Sequence, residues 1–225
     1  MIVRQIENQI KDKLFKKKAI LIFGARQVGK TSLIKKIVNN EKHIWLSGDE
    51  PDVQQLLENI TSERINQLVG SSRILVIDEA QMISNIGLLI KRIVDNSNHI
   101  QVIATGSSAF ELADKTKESL IGRKYEFQLF PISFNEMVQH TDWLMQRRTL
   151  QHYLVNGFYP EVLNEKGNEI AVLKDISESF LFKDVLNFEG IKKSNIIYRL
   201  TQMLAFRIGS EINYSSLATE IGINK

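Results

Sequence analysis

Apolar positions along the chain follow two rhythms. Ile2, Ile6, Ile10 and Leu14 recur every four residues, which predicts an amphipathic helix at the start. Ala19 to Phe23, Ile74 to Ile77 and Ile100 to Ala104 are instead short, nearly unbroken apolar runs. Such runs fit strands buried on both faces of a parallel sheet. His43 to Leu46 and Tyr125 to Leu129 read as further strands. Helical spacing fills the intervals, from Lys30 onward, over Val53 to Val69 and over Ile86 to Val94. Beyond Pro131 only helical patterns remain, over Phe134 to His140, Gln146 to Val155, Ile170 to Leu186 and Ile196 to Ile208, with a turn at NGFYPEV. The alternation predicts a three-layer α/β core with a parallel sheet, followed by helices.

The turn after the first buried run is GARQVGKT, a complete GxxxxGK[ST] loop between a strand and a helix. Its backbone N–H groups, together with the helix's positive end, form an anion cradle. Gly24, Ala25, Arg26, Gln27, Val28, Gly29, Lys30, Thr31 and Ser32 are therefore the expected phosphate-binding residues. Lys30 is expected to meet the β- and γ-phosphates, and the Thr31 hydroxyl a magnesium ion. ILVIDEAQ then places Asp78 and Glu79 where a buried strand ends. Asp78 is the expected second magnesium-site residue, and Glu79 the base that orients and deprotonates the attacking water. The adjacent acids, and the lack of an NKxD guanine-reading sequence, favour ATP over GTP. TGSSAF ends the next buried run. Ser107 is the first candidate to sense the γ-phosphate there and Thr105 the second, the alternative being a plain Gly-Ser turn. Asp49 and Asp52 read as helix-capping acids.

Composition narrows the setting. The chain has 225 residues, 43% of them hydrophobic, and a net charge of +3, a balance that permits nucleic-acid contact without arguing for it. With no cysteine, disulfides and thiolate metal sites are excluded. The four histidines, at 43, 99, 140 and 152, lack ligand spacing. No apolar run is long enough to span a membrane, and the N-terminus lacks a signal-peptide core, so a cytoplasmic location without membrane partners is expected. Lys16, Lys17 and Lys18 read as a solvated run at a strand entrance, with anionic ligand or nucleic acid as the alternative.

GARQVGKT, VIDEAQ, TGSS, SLIGR and FPISFNEM occur in that order, and together resemble AAA+-type ATPases of bacteria and archaea that carry a C-terminal domain of uncharacterised function. The resemblance covers about residues 1 to 200. It implies a P-loop ATPase core over 1–130, a helical lid over 131–195 and possible homo-oligomers in which Arg123 is an arginine finger reaching a neighbouring subunit's γ-phosphate. An ordinary ion pair at a strand entrance is the alternative for Arg123. Residues 196–225 resemble the start of a winged helix-turn-helix, with Leu217, Ala218 and Ile221 on one supporting helix. Only three residues follow its turn, so sequence-selective DNA binding is expected to need a longer chain. The function expected is magnesium-dependent ATP hydrolysis. The alternatives are a slow nucleotide switch or adaptor, and a DNA-associated regulator whose reading head lies outside these residues.

Overall fold

The computed structural model describes residues 2–58, 60–97, 99–106, 119–179 and 194–223. Five strands form one sheet: β1 (Ala19–Phe23), β2 (His43–Ser47), β3 (Ile74–Asp78), β4 (Gln101–Gly106) and β5 (Lys124–Gln128). Their order is β2-β3-β4-β1-β5, and every paired neighbour is parallel. The unbroken apolar runs follow from this arrangement, since β1, β3 and β4 are interior strands covered on both faces.

Alternate residues of each interior strand enter different cores. Ala19, Leu21 and Phe23 pack with Leu75, Ile77, Val102 and Ala104 against the helices α3 (Pro51–Glu58), α4 (Ser62–Val69) and α5 (Ile86–Asn96). On the opposite face Ile20, Ile22, Val76 and Ile103 meet Ile10 of α1 (Ile6–Lys11) and Leu33, Ile34, Ile37 and Val38 of α2 (Lys30–Val38). The result is the three-layer α/β architecture expected.

Two helical expectations change. The Val53 to Val69 pattern is two helices, because Thr61 caps a new one: its hydroxyl accepts from the Arg64 N–H at 3.3 Å. The initial helix is confined to Ile6–Lys11, which leaves residues 2–4 without helical structure and lets Arg4 run alongside the phosphate loop.

After β5 come α6 (Phe134–His140), α7 (Trp143–Asn156), α8 (Pro160–Asn164) and α9 (Glu169–Ser179). The NGFYPEV turn thus runs into a short helix opened by Pro160. The rings of Tyr153 and Phe158 meet at 5.0 Å between centroids, while Phe180, Phe182, Lys183 and Asp184 lie outside the described residues. The chain divides into compact units Met1–Leu173 and Lys174–Lys225. The second contains α10 (Ser194–Phe206) and α11 (Tyr214–Ile221), which pack on each other. Among the described residues no helix is long and apolar enough to cross a membrane.

Two buried glutamates join elements. Glu7 binds Lys11 at 2.7 Å and Lys36 at 2.6 Å. Glu136 completes a capping box with Ser133 and accepts from the Gln5 N–H at 2.8 Å and from Arg4 Nε at 3.1 Å. Burial pushes both carboxyls up, but the bonds outweigh it and both stay below the ordinary glutamate range. The unfolded chain therefore takes up these protons at higher pH than the native one. Their stabilisation is complete above the ordinary glutamate pKa and is lost as pH falls through the depressed native values. The thermal midpoint, followed from pH 7 to 3, is expected to fall in that acid window. Glu136→Gln is expected to flatten the fall, and an unchanged acid profile in that variant would contradict the assignment.

Candidate nucleotide site

The phosphate loop leaves the C-terminal end of β1 and feeds α2. Gly24 is required by space: a Cβ there would sit 2.3 Å from the Leu129 carbonyl oxygen, where β5 ends beside β1. Gln27 and Gly29 both take left-handed backbone, with φ of 62° and 95°, as expected where a loop turns successive N–H groups inward. Val28 is buried beneath the loop, while Gln27 and Ser32 are exposed. Lys30, only 5% exposed, folds back so that its ammonium donates to the carbonyls of Gly24 (2.8 Å) and Ala25 (3.0 Å).

Asp78 ends β3 two strands away from β1, with β4 between them. Thr31 bridges the gap from the first turn of α2, its hydroxyl donating to Asp78 Oδ2 at 2.9 Å. Thr105, on the intervening β4, donates to Asp78 Oδ1 and accepts from the Glu79 N–H at 3.0 Å. It is fully buried, so its hydroxyl holds the two acids in place. Ser107, the other candidate from this strand end, lies outside the described residues.

Glu79 has left-handed backbone at φ 49°, which costs a non-glycine residue roughly 1–2 kcal/mol. The Thr105 bond holds it there, and Gln81 Nε2 donates to its carboxylate at 2.6 Å. Gly48, which follows β2, lets this turn approach. A Cβ there would lie 2.4 Å from the Glu79 carbonyl oxygen, and its N–H donates to the Asp78 carbonyl at 2.7 Å. Reading Asp49 and Asp52 as capping acids overlooked this glycine; its sequence signal was a glycine close behind a strand.

The donor set suits a magnesium ion. Oxygens on neighbouring vertices of an octahedron with bonds of about 2.1 Å lie about 3.0 Å apart, and Thr31 Oγ1 and Asp78 Oδ2 are separated by 2.9 Å. No group of three or more acids and histidines with metal-site geometry occurs among the described residues. Remaining coordination sites would therefore fall to water and phosphate oxygens, as magnesium prefers.

Arg123 lies elsewhere. Its carbonyl accepts from the Ala19 N–H at 2.9 Å, which places it where β1 begins, whereas the phosphate loop starts where β1 ends. Five strand residues, about 16 Å, separate the two positions. Its Nε pairs with Asp95 at 2.6 Å.

Beside the loop lies a cavity of about 810 Å³, lined by Val28, Gly29 and Ser32 and by Met137, Tyr153 and Pro160 from the helices after β5. Its size is that of a small-molecule site.

Residues 16–138 match an AAA-domain family (AAA_14), more than half of the chain. The chain belongs to this AAA-domain family. It is accordingly a member of the AAA-like P-loop ATPases, as the resemblance implied. Residues 147–225 of this family member match a domain of unknown function (DUF8612). Two uncharacterised proteins of Methanocaldococcus jannaschii, MJ1544 and MJ1637, are 23% and 24% identical to it over 95% and 93% of its length. The AAA-domain chain spans only 52% and 53% of those two proteins, about half of the curated relatives it matches. The Walker-type ATPase PABY2304 of Pyrococcus abyssi shares the fold, with a TM-score of 0.60 and 16% identity over 99% of this chain and 89% of that one.

Proposed function

We propose that this AAA-domain chain binds ATP with magnesium and hydrolyses it at the β-γ phosphoanhydride. The observation that carries the reading is the relay Thr31, Asp78, Thr105, Glu79, which joins the phosphate loop to a carboxylate at the strand ends. Gly24 to Ser32 would cradle the phosphates, and the cavity beside Gly29 is roomy enough for the nucleoside. Bound magnesium would neutralise charge building on the phosphate oxygens. Glu79 would orient water and take its proton, and Ser107 would contact the γ-phosphate.

Glu79→Gln is expected to leave Mg-ATP affinity unchanged and to cut turnover by roughly a hundredfold or more, the contribution of a positioned base. Single-turnover phosphate release, with a separate binding titration, measures both. Intact turnover in the variant would place the base elsewhere. A slow nucleotide switch is the second reading, favoured by the Gln81 amide bound to the Glu79 carboxylate. Wild-type turnover too slow to complete one cycle within hours would select it.

A further inference from the structure

One side chain outside the loop and the relay joins the phosphate loop to the segment after β5 and to α6. Arg4, preceding α1, donates from Nη1 to the Val28 carbonyl at 2.9 Å and from Nη2 to the Phe130 carbonyl at 2.6 Å. Its Nε meets Glu136 Oε1 at 3.1 Å, inside the capping box that starts α6. The guanidinium side chain is only 10% exposed, and a Cβ on Gly29 would lie 3.8 Å from its Nη1. A planar, permanently charged fork can serve acceptors in several directions at once; a lysine ammonium at the same place is a single point.

The contact with Val28 has a consequence one atom further on. In a planar trans peptide the carbonyl and the following N–H point in opposite directions. With the Val28 carbonyl bonded to Arg4, the Gly29 N–H of the same peptide is directed away from Arg4. Gly29 has left-handed backbone at φ 95° and begins α2 as its N-cap, so its N–H adds to the positive end of that helix. Glycine tolerates both hands, so the Arg4 bond is one of the contacts that fix the orientation of the Val28–Gly29 peptide.

We infer that Arg4 is a positioning residue for the phosphate loop: it presets the Gly29 N–H as a donor to the nucleotide's polyphosphate and, through Glu136, ties that peptide to the first lid helix. This rests on the nucleotide reading above. The contribution is specific to ligands with a β-phosphate, because the preset donor faces phosphate and not the nucleoside. Glu136 belongs to the same unit, since it bonds both Arg4 and the Gln5 N–H at the residue that follows.

Calorimetric titration of the full chain with Mg-ADP and with adenosine tests the inference. Arg4→Ala is expected to weaken Mg-ADP about tenfold more than it weakens adenosine, since Arg4 also lines the cavity beside Gly29 and the extra loss is that of one well-aligned charge-assisted donor. Arg4→Lys keeps the charge and most of the stem, and should show the same selective loss at about threefold; it carries the test where Arg4→Ala fails to fold. Equal losses for both ligands would show that Arg4 merely supports the fold, and overturn the inference. Unchanged Mg-ADP affinity in both variants overturns it as well. Wild type that binds neither Mg-ADP nor Mg-ATP overturns the nucleotide reading itself, a result visible before any variant is made.

Discussion

Arg123→Ala is expected to bind Mg-ATP like the wild type and to hydrolyse it about a thousandfold more slowly, the scale of an arginine finger. The reasoning is geometric. Arg123 stands where β1 and β5 begin, and its own phosphate loop starts at the far end of β1. Within one chain it has no route to its own γ-phosphate, so the proposed role is in trans, in an assembly that sets this end of one sheet against a neighbour's loop. The Asp95 ion pair is then the partner Arg123 has outside such an assembly. Both side chains are more than a third exposed, so the pair contributes little to stability and is readily exchanged for a phosphate. Wild-type turnover per subunit should rise with protein concentration, and Arg123→Lys should not restore activity, because an ammonium lacks the bidentate fork. A monomer whose specific activity is independent of concentration would leave Arg123 with its ion-pair role alone.

Lys30→Ala is expected to abolish tight Mg-ATP binding, with a loss on the order of a thousandfold. Truncating one member of a desolvated charge pair costs about 4 kcal/mol. Lys30 is suited to that effect because it is almost wholly buried and its ammonium is already drawn in over the loop by the Gly24 and Ala25 carbonyls. Little side-chain entropy remains to be lost when phosphate arrives. A direct titration of the variant with Mg-ATP decides the matter, and wild-type affinity would remove the phosphate-site assignment.

Much of this molecule could be read from local pattern. Apolar runs marked β1, β3 and β4 because a strand covered on both faces must be apolar along its whole length. GARQVGKT and VIDEAQ were legible because a phosphate loop and a strand-end acid pair each occupy one short stretch, with spacing imposed by the backbone. Even the break at Thr61 carried a local sign, a threonine followed by Ser-Glu, though the continuing apolar spacing masked it. The strand order was not local, and the partners of Asp78 depend on it. Thr31 and Thr105 lie 47 and 27 residues away in sequence, and reach the two oxygens of one carboxylate only because β4 is inserted between β1 and β3. Gly48 mattered only once β2 was laid beside β3, bringing the Glu79 carbonyl within a methyl's width. Arg4 looked like one charge among many, until folding brought Glu136, 132 residues distant, and the Val28 carbonyl to the same guanidinium. Sequence periodicity records how much of each element is buried. Which side chain meets which acceptor is set by the layering of elements distant in the chain, and hydrogen bonds made across those layers leave no periodic trace.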